Sequence, residues 1–193
     1  MSDSPGLTMQ PTTRQQGVFG KLTGSLAGHL GLQGLCSAEH LQSRLRIDRV
    51  ELELANLDED MDRVTVAQLS DLHLGLIMRE EQIAHCVEVV NRARPDFVVV
   101  TGDFLTTTAR RYARRIAALL GELRPRTASL ACLGNHDYGL WHPMGWQASG
   151  LAEYLADQLG SAGVCPLLNE SRTFARGLSE LRFAGVGAFW SSA

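Results

Sequence analysis

VAQLSDLHLG, residues 66–75, is the stretch whose reading decides the fold. An apolar, β-branched run breaks off into Asp71 and His73, one residue apart, and then Gly75. In an extended strand, residues i and i+2 share a face. The two side chains can then aim at one point while Leu72 turns into the core. That suits a metal ion. It equally suits an ordinary strand-to-loop exit, and the stretch taken alone leaves both readings open.

Upstream, VELELANL (50–57) alternates apolar and acidic residues, which predicts a half-exposed strand. Asp58, Glu59 and Asp60 form a turn, and 63–70 reads as a buried strand. Downstream, 79–94 places Ile83, Val87, Val90 and Arg94 at helical spacing, with acids in the first turn and Pro95 as the stop. A second buried strand covers 96–103. Thr106–Thr108 can cap a helix whose inner stripe is Tyr112, Ile116, Leu119 and Leu123. A third strand over 127–133, a helix over Leu151–Leu159, a short strand over Val164–Leu168 and a hairpin around Arg176 and Gly177 complete the pattern. Strands alternating with helices indicate an α/β fold with a parallel sheet, its right-handed crossovers putting helices over the sheet faces.

Composition sets bounds on what this fold serves. The chain has 193 residues, 45% hydrophobic, with net charge −3, enough for one domain plus an extension. Near-neutral charge argues against a nucleic-acid binder that relies on a broad basic surface. Cys36, Cys86, Cys132 and Cys165 are far apart and read as buried, reduced thiols of a cytoplasmic protein. Residues 1–45 read as a poorly ordered leader, and 46–193 as the folded part. The leader's best apolar window, 17–38, is interrupted by glycines, Lys21 and His29, too broken for a membrane span. Surface attachment to a membrane, aided by Arg44, Arg46 and Arg49, stays open.

Each buried strand ends in a polar cluster: Asp71 and His73, then Gly102 and Asp103, then Gly134, Asn135, His136 and Asp137. Any one of them is explained by the preference of Asp, Asn and Gly for turns. In a parallel sheet, however, all three emerge at one edge, where open α/β sheets bind ligands. Converging carboxylates repel, and no Arg or Lys sits beside these clusters to neutralise them. A divalent cation would. Carboxylate, imidazole and amide donors together suit Mn, Fe or Zn better than calcium.

SDLHLG, TGDF and GNHDY, in that order and each after a strand, resemble the first three motifs of the calcineurin-like metallophosphoesterases. The likeness covers roughly 63–138, and weakly to about 190, and is nearest to a bacterial branch of membrane-associated phosphoesterases. It implies a β-sandwich flanked by helices, of which this chain would be an incomplete N-terminal portion. It further implies two divalent metal ions: Asp71 and His73 on the first, Asp103 bridging, Asn135 on the second. His136 would lie over the substrate phosphate, stabilising it or protonating the leaving oxygen, with Asp137 orienting and charge-supporting it. Some members of that branch act on lipid-linked nucleotides of the UDP-diacylglucosamine type in lipid A synthesis. Two cations about 3.5–4 Å apart activate water and clamp a phosphate for in-line attack. Tyr138 and His142, with Trp141 and Trp146, follow the third cluster as substrate-side candidates or as loop packing.

The family supplies further histidines late in its domain. Here the six are His29, His40, His73, His85, His136 and His142, none of them later than 142. The expectation is a weak or empty second metal site, impaired activity, and completion by another polypeptide. The class-level alternative is a non-catalytic scaffold that keeps the fold and binds a protein partner. The partners expected are a phosphoester substrate and peripheral membrane contact on the cytoplasmic side, with no nucleic acid. No phosphate-cradling glycine loop or Gly-x-Ser-x-Gly elbow points to another chemistry.

Overall fold

The computed structural model describes residues 45–54, 57–75, 77–139 and 150–187. Strands β1 (Val66–Ser70), β2 (Phe97–Thr101), β3 (Ala128–Cys132) and β4 (Val164–Pro166) alternate with helices α1 (Glu80–Ala93), α2 (Arg110–Leu120) and α3 (Leu151–Ser161). The four strands are parallel in the order β1-β2-β3-β4. Their ends are in step: Ser70 lies opposite Thr101, and Thr101 opposite Cys132. The residues that follow β1, β2 and β3 therefore leave the sheet at one edge.

The strand order never reverses. Right-handed crossovers in a monotonic order put every helix on the same face. Side chains of all three helices accordingly meet in one core with Val98, Val100 and Ala131 of the strands. The expectation of helices over both faces is corrected on this point: the other face takes a β-hairpin.

The helices show how sequence periodicity translates. In α1 the buried residues are Ile83, Cys86, Val87 and Val90, and Arg79 N–H donates to Gln82 Oε1 (2.7 Å) at its start. Arg94 is exposed and left-handed (φ 49°), closing the helix before Pro95 rather than continuing the stripe. In α2 the buried face is Ala113, Ile116, Ala117 and Leu120. Of the expected stripe, Ile116 and Leu123 are buried while Tyr112 and Leu119 are only partly so, and small alanines let α2 approach its neighbours closely.

Hairpin strands β5 (Glu170–Arg176) and β6 (Ser179–Gly185) pair antiparallel. They are attached through side chains. Phe97 of β2 packs against the rings of Phe174 and Phe183, at centroid distances of 5.0 and 4.8 Å. At the N-terminal edge of the sheet, buried Asp96 accepts from Thr65 N–H (2.9 Å) and Thr65 Oγ1 (2.8 Å), while Arg176 Nη2 donates to its other oxygen (3.0 Å). Burial works to raise this carboxyl, but the Thr65 bonds and Arg176 outweigh it and hold the group at about 2.

VELELANL is not a strand in its described part. Residues 50–54 form neither strand nor helix, with Val50, Leu52 and Leu54 at 76%, 77% and 55% exposure. Alternation specifies a face, but a strand also needs a neighbour to complete its hydrogen bonds. Among the described residues none pairs with it, and β1 stands at the sheet edge. The leader's residues 1–44 lie outside the described residues. Of the cysteines described, Cys86 is buried while Cys132 and Cys165 are partly so, all as free thiols. Among the described residues no helix is long and apolar enough to cross a membrane.

Candidate metal centre

β1 stops at Ser70, so Asp71 and His73 do not converge by strand alternation. Both are left-handed, at φ 55° and 45°, as is Asp103 at φ 51°. Such backbone costs an L-residue roughly 1–2 kcal/mol, with Asp among those that tolerate it best. The surroundings hold it in place. Asp71 N–H donates to Gly102 O (3.3 Å), His73 N–H to Asp103 O (2.9 Å) and Leu74 N–H to Phe104 O (2.8 Å), extending the β1–β2 ladder beyond the strands. Thr106, expected as part of a helix cap, is buried and donates its hydroxyl to His73 O (2.7 Å), tying the two loops together. The residue that precedes α2 is instead Ala109, with no side-chain cap.

The third loop is fitted against the second. Gly102 N–H donates to Cys132 O (2.8 Å). A Cβ on Gly134 would stand 2.2 Å from Asp103 Oδ1 and 2.4 Å from Asp103 N, so only glycine allows this approach. Asp137 is fully buried. Its Oδ1 accepts from Phe104 N–H (2.9 Å) and Leu105 N–H (3.1 Å), and its Oδ2 from Gly134 N–H (2.9 Å). Burial pushes this carboxyl up to about 7, against the pull of those three donors. Its bonds therefore organise the loop backbones on either side of His136.

Asp103 sits at the centre, its side chain only 14% exposed. Oδ1 accepts from His136 N–H (3.1 Å). Oδ2 faces His73 Nε2 at 3.6 Å and His136 Nε2 at 4.0 Å, and the imidazole rings meet edge to face at 4.7 Å. His73 Nε2 is also 4.0 Å from Asp71 Oδ1, on a side chain that reaches the rim at 56% exposure. One donor atom each from His73, Asp103 and His136 lie within 4.8 Å of one another. These separations are too long for hydrogen bonds. They approach the ~3–3.5 Å between ligands that each sit about 2.1 Å from one cation. By donor type and spacing, the residues fit a divalent metal.

His136 is held below the ordinary imidazole range, first by burial and then by its neighbour His73, with the carboxylates of Asp103 and Asp71 opposing. Asn135 is partly buried and lines an open groove of about 400 Å³ with Asp71, Asp103, Ser70, Thr101, Val186 and Gly187. Tyr138 packs against the hydrophobic core, and His142, Trp141 and Trp146 lie outside the described residues. Sequence reasoning missed the loop tie at Thr106 and the wall at Val186 and Gly187. The first resembled a helix cap, and the second comes from a hairpin whose docking site no local pattern encodes.

Comparisons with known proteins bear on this geometry. Residues 64–178 match the family model described as calcineurin-like phosphoesterase. A transmembrane protein with metallophosphoesterase domain from Danio rerio is 35% identical over 97 residues, 50% of this chain and 22% of that protein. An uncharacterized metallophosphoesterase of Aquifex aeolicus is 33% identical over 100 residues, 51% of this chain and 38% of that protein. The UDP-2,3-diacylglucosamine pyrophosphatase LpxG of Chlamydia trachomatis is 30% identical over 105 residues, 54% of this chain and 32% of that protein. The chain thus spans less than two fifths of the length of each of these relatives.

Proposed function

The chain belongs to the calcineurin-like phosphoesterase family, and from that premise we propose that it hydrolyses phosphoesters with divalent metal ions held by Asp71, His73, Asp103 and Asn135. The observation that carries the reading is the approach of His73 and His136 to the single carboxylate of Asp103, with Asp71 Oδ1 4.0 Å from His73 Nε2. When bound, such ions polarise the phosphoryl group and lower the pKa of water.

The chain's own residues set the rest. Asp103 spends one oxygen on the His136 amide, which fixes the other toward the imidazoles. Asn135 offers a neutral amide oxygen. His136, whose Nε2 stands 4.0 Å from Asp103 Oδ2, is placed to stabilise the phosphate or to pass a proton to the leaving oxygen. Asp137 supports His136 by fixing loop backbone at Gly134, Phe104 and Leu105. The donor mix favours Mn, Fe or Zn. The second ion would have Asp103 and Asn135 as its donors among the described residues.

The substrate we favour is a lipid-linked nucleotide of the UDP-diacylglucosamine type, supported by the likeness to LpxG. Peripheral contact with an anionic membrane is supported by α2, where Arg110, Arg111, Arg114 and Arg115 are exposed. Two of them stand in the first turn, where the helix dipole disfavours cations. The test is calorimetric titration of the metal-free chain with Mn²⁺ and Zn²⁺, followed by hydrolysis of an aryl phosphodiester. Metal-dependent turnover that is lost in Asp103→Asn supports the proposal. A folded chain that binds neither ion sinks it.

A further inference from the structure

The groove that holds Asp71, Asp103 and Asn135 has one wall that the parallel sheet does not supply. It consists of Val186 and Gly187, the residues that leave β6. Their backbone is anchored at several points. A Cβ on Gly185 would lie 2.4 Å from Leu167 Cβ and 2.6 Å from its carbonyl oxygen, so the hairpin end is pressed directly onto the loop that follows β4. Leu167 N–H in turn donates to Ala131 O of β3 (2.7 Å), which links that loop to the strand leading into the third cluster. Gly187 N–H donates to Asn169 Oδ1 at 2.8 Å, and Asn169 is left-handed at φ 57°. Asparagine is among the few side chains that adopt this conformation readily.

The anchored wall carries an apolar side chain into a polar setting. Val186 is 75% exposed, while Asp71, Ser70, Thr101 and Asn135 offer carboxylate, hydroxyl and amide groups to the same groove. Single exposed apolar residues are common and decide nothing by themselves. Here the valine shares a groove with the candidate ligands and sits between Gly185 and Gly187, each of which is held by a contact of its own. A phosphoester occupying this groove would have Val186 among the groups that line it, together with Asp71, Asp103 and Asn135.

We propose that Val186 is the specificity contact for a substituent on phosphorus, favouring phosphoesters with an alkyl or aryl group next to the ester, and that Asn169 is the positioning residue that holds it. This rests on the phosphoester reading. One hydrocarbon contact of this kind is worth roughly tenfold in discrimination.

The test is a binding measurement on the full chain loaded with Mn²⁺, comparing inorganic phosphate with phenylphosphonate by calorimetry. The wild type binds phenylphosphonate more tightly. Val186→Ser lowers the phenylphosphonate-to-phosphate affinity ratio about tenfold, and Asn169→Ala lowers it in the same direction. Asn169→Asp, which keeps the accepting oxygen, restores the ratio. A merely structural role for Asn169 would move melting temperature but leave the ratio unchanged. Equal ratios in wild type and Val186→Ser overturn the inference while leaving the phosphoester reading intact. A metal-loaded chain that binds neither anion overturns both. Because Val186 is largely in water, its replacement leaves the core untouched, and circular dichroism on each variant verifies this.

Discussion

Replacing Gly134 with alanine is a one-methyl perturbation aimed at the contact between the second and third loops. The added Cβ would stand 2.4 Å from Asp103 N and 2.9 Å from Gly102 Cα, whereas ordinary contact begins at 3.4 Å. Two of the crowded atoms are backbone, so no side-chain rotation relieves the overlap. Loop and loop must separate by about 1 Å (3.4 less 2.4). Overpacking of this kind costs about 3 kcal/mol, the upper end of its usual range. In a chain of this size that is a fall in melting temperature of roughly 6–12 °C. Metal ligands tolerate errors of only about 0.2 Å, so Mn²⁺ affinity falls by more than the stability loss alone implies. The control is Gly160→Ala in α3, where the new Cβ meets nothing nearer than Pro166 Cδ at 3.8 Å. There the same chemistry raises stability by about 0.5 kcal/mol through helix propensity. Calorimetric melting and metal titration of both variants decide the matter. Wild-type melting and wild-type affinity in Gly134→Ala would refute the close-approach argument.

Asp137→Ala strips the acceptor from three buried N–H groups and costs about 3–5 kcal/mol by denaturant unfolding, with Asp137→Asn recovering part. Its folded pKa, about 7, lies above the ordinary 3.8. Its stabilising contribution in the metal-free chain is therefore complete below pH 3.8 and is lost as pH rises through 7, a decline that Asp137→Asn flattens. Asp96 behaves oppositely: held at about 2, it stabilises above pH 3.8 by up to about 2 kcal/mol, lost as pH falls toward 2. Arg176→Met reduces that acid sensitivity, and unchanged acid unfolding would count against the ion pair. His73→Ala lowers Mn²⁺ affinity by at least about a hundredfold, because Nε2 faces both Asp71 and Asp103. His136→Ala lowers it less than tenfold if its work is on the substrate, and equal losses would place His136 among the ligands.

The parallel sheet was legible because β2 and β3 are buried apolar runs and its helices carry apolar stripes; Val98 and Ile83 fell where periodicity put them, whereas β1, expected to be buried, is an edge strand with Val66 47% exposed. The shared edge followed from strand order, so the proximity of Asp71, His73, Asp103 and His136 was also readable. The local cause was not. The i, i+2 argument expected Asp71 and His73 to come together, and they do, but for a reason it did not use, since left-handed residues leave no mark in hydrophobic patterning. VELELANL misled because alternation reports a side chain's preference and says nothing of a partner strand. Asp137 next to His136 suggested a charge pair, yet its burial and two oxygens were better matched to backbone amides. Val186 was invisible because its place depends on Phe97, Arg176 and Asn169 acting at long range.

The hairpin shares no hydrogen-bond ladder with the four-stranded sheet and is fastened to it by aromatic packing and one ion pair. On the proposed reading, cation capture and the choice of what is cleaved are thereby lodged in separately replaceable parts. Grafting a different 169–187 segment onto the same three loops would then retune selectivity while leaving Asp71, His73, Asp103 and Asn135 where they are.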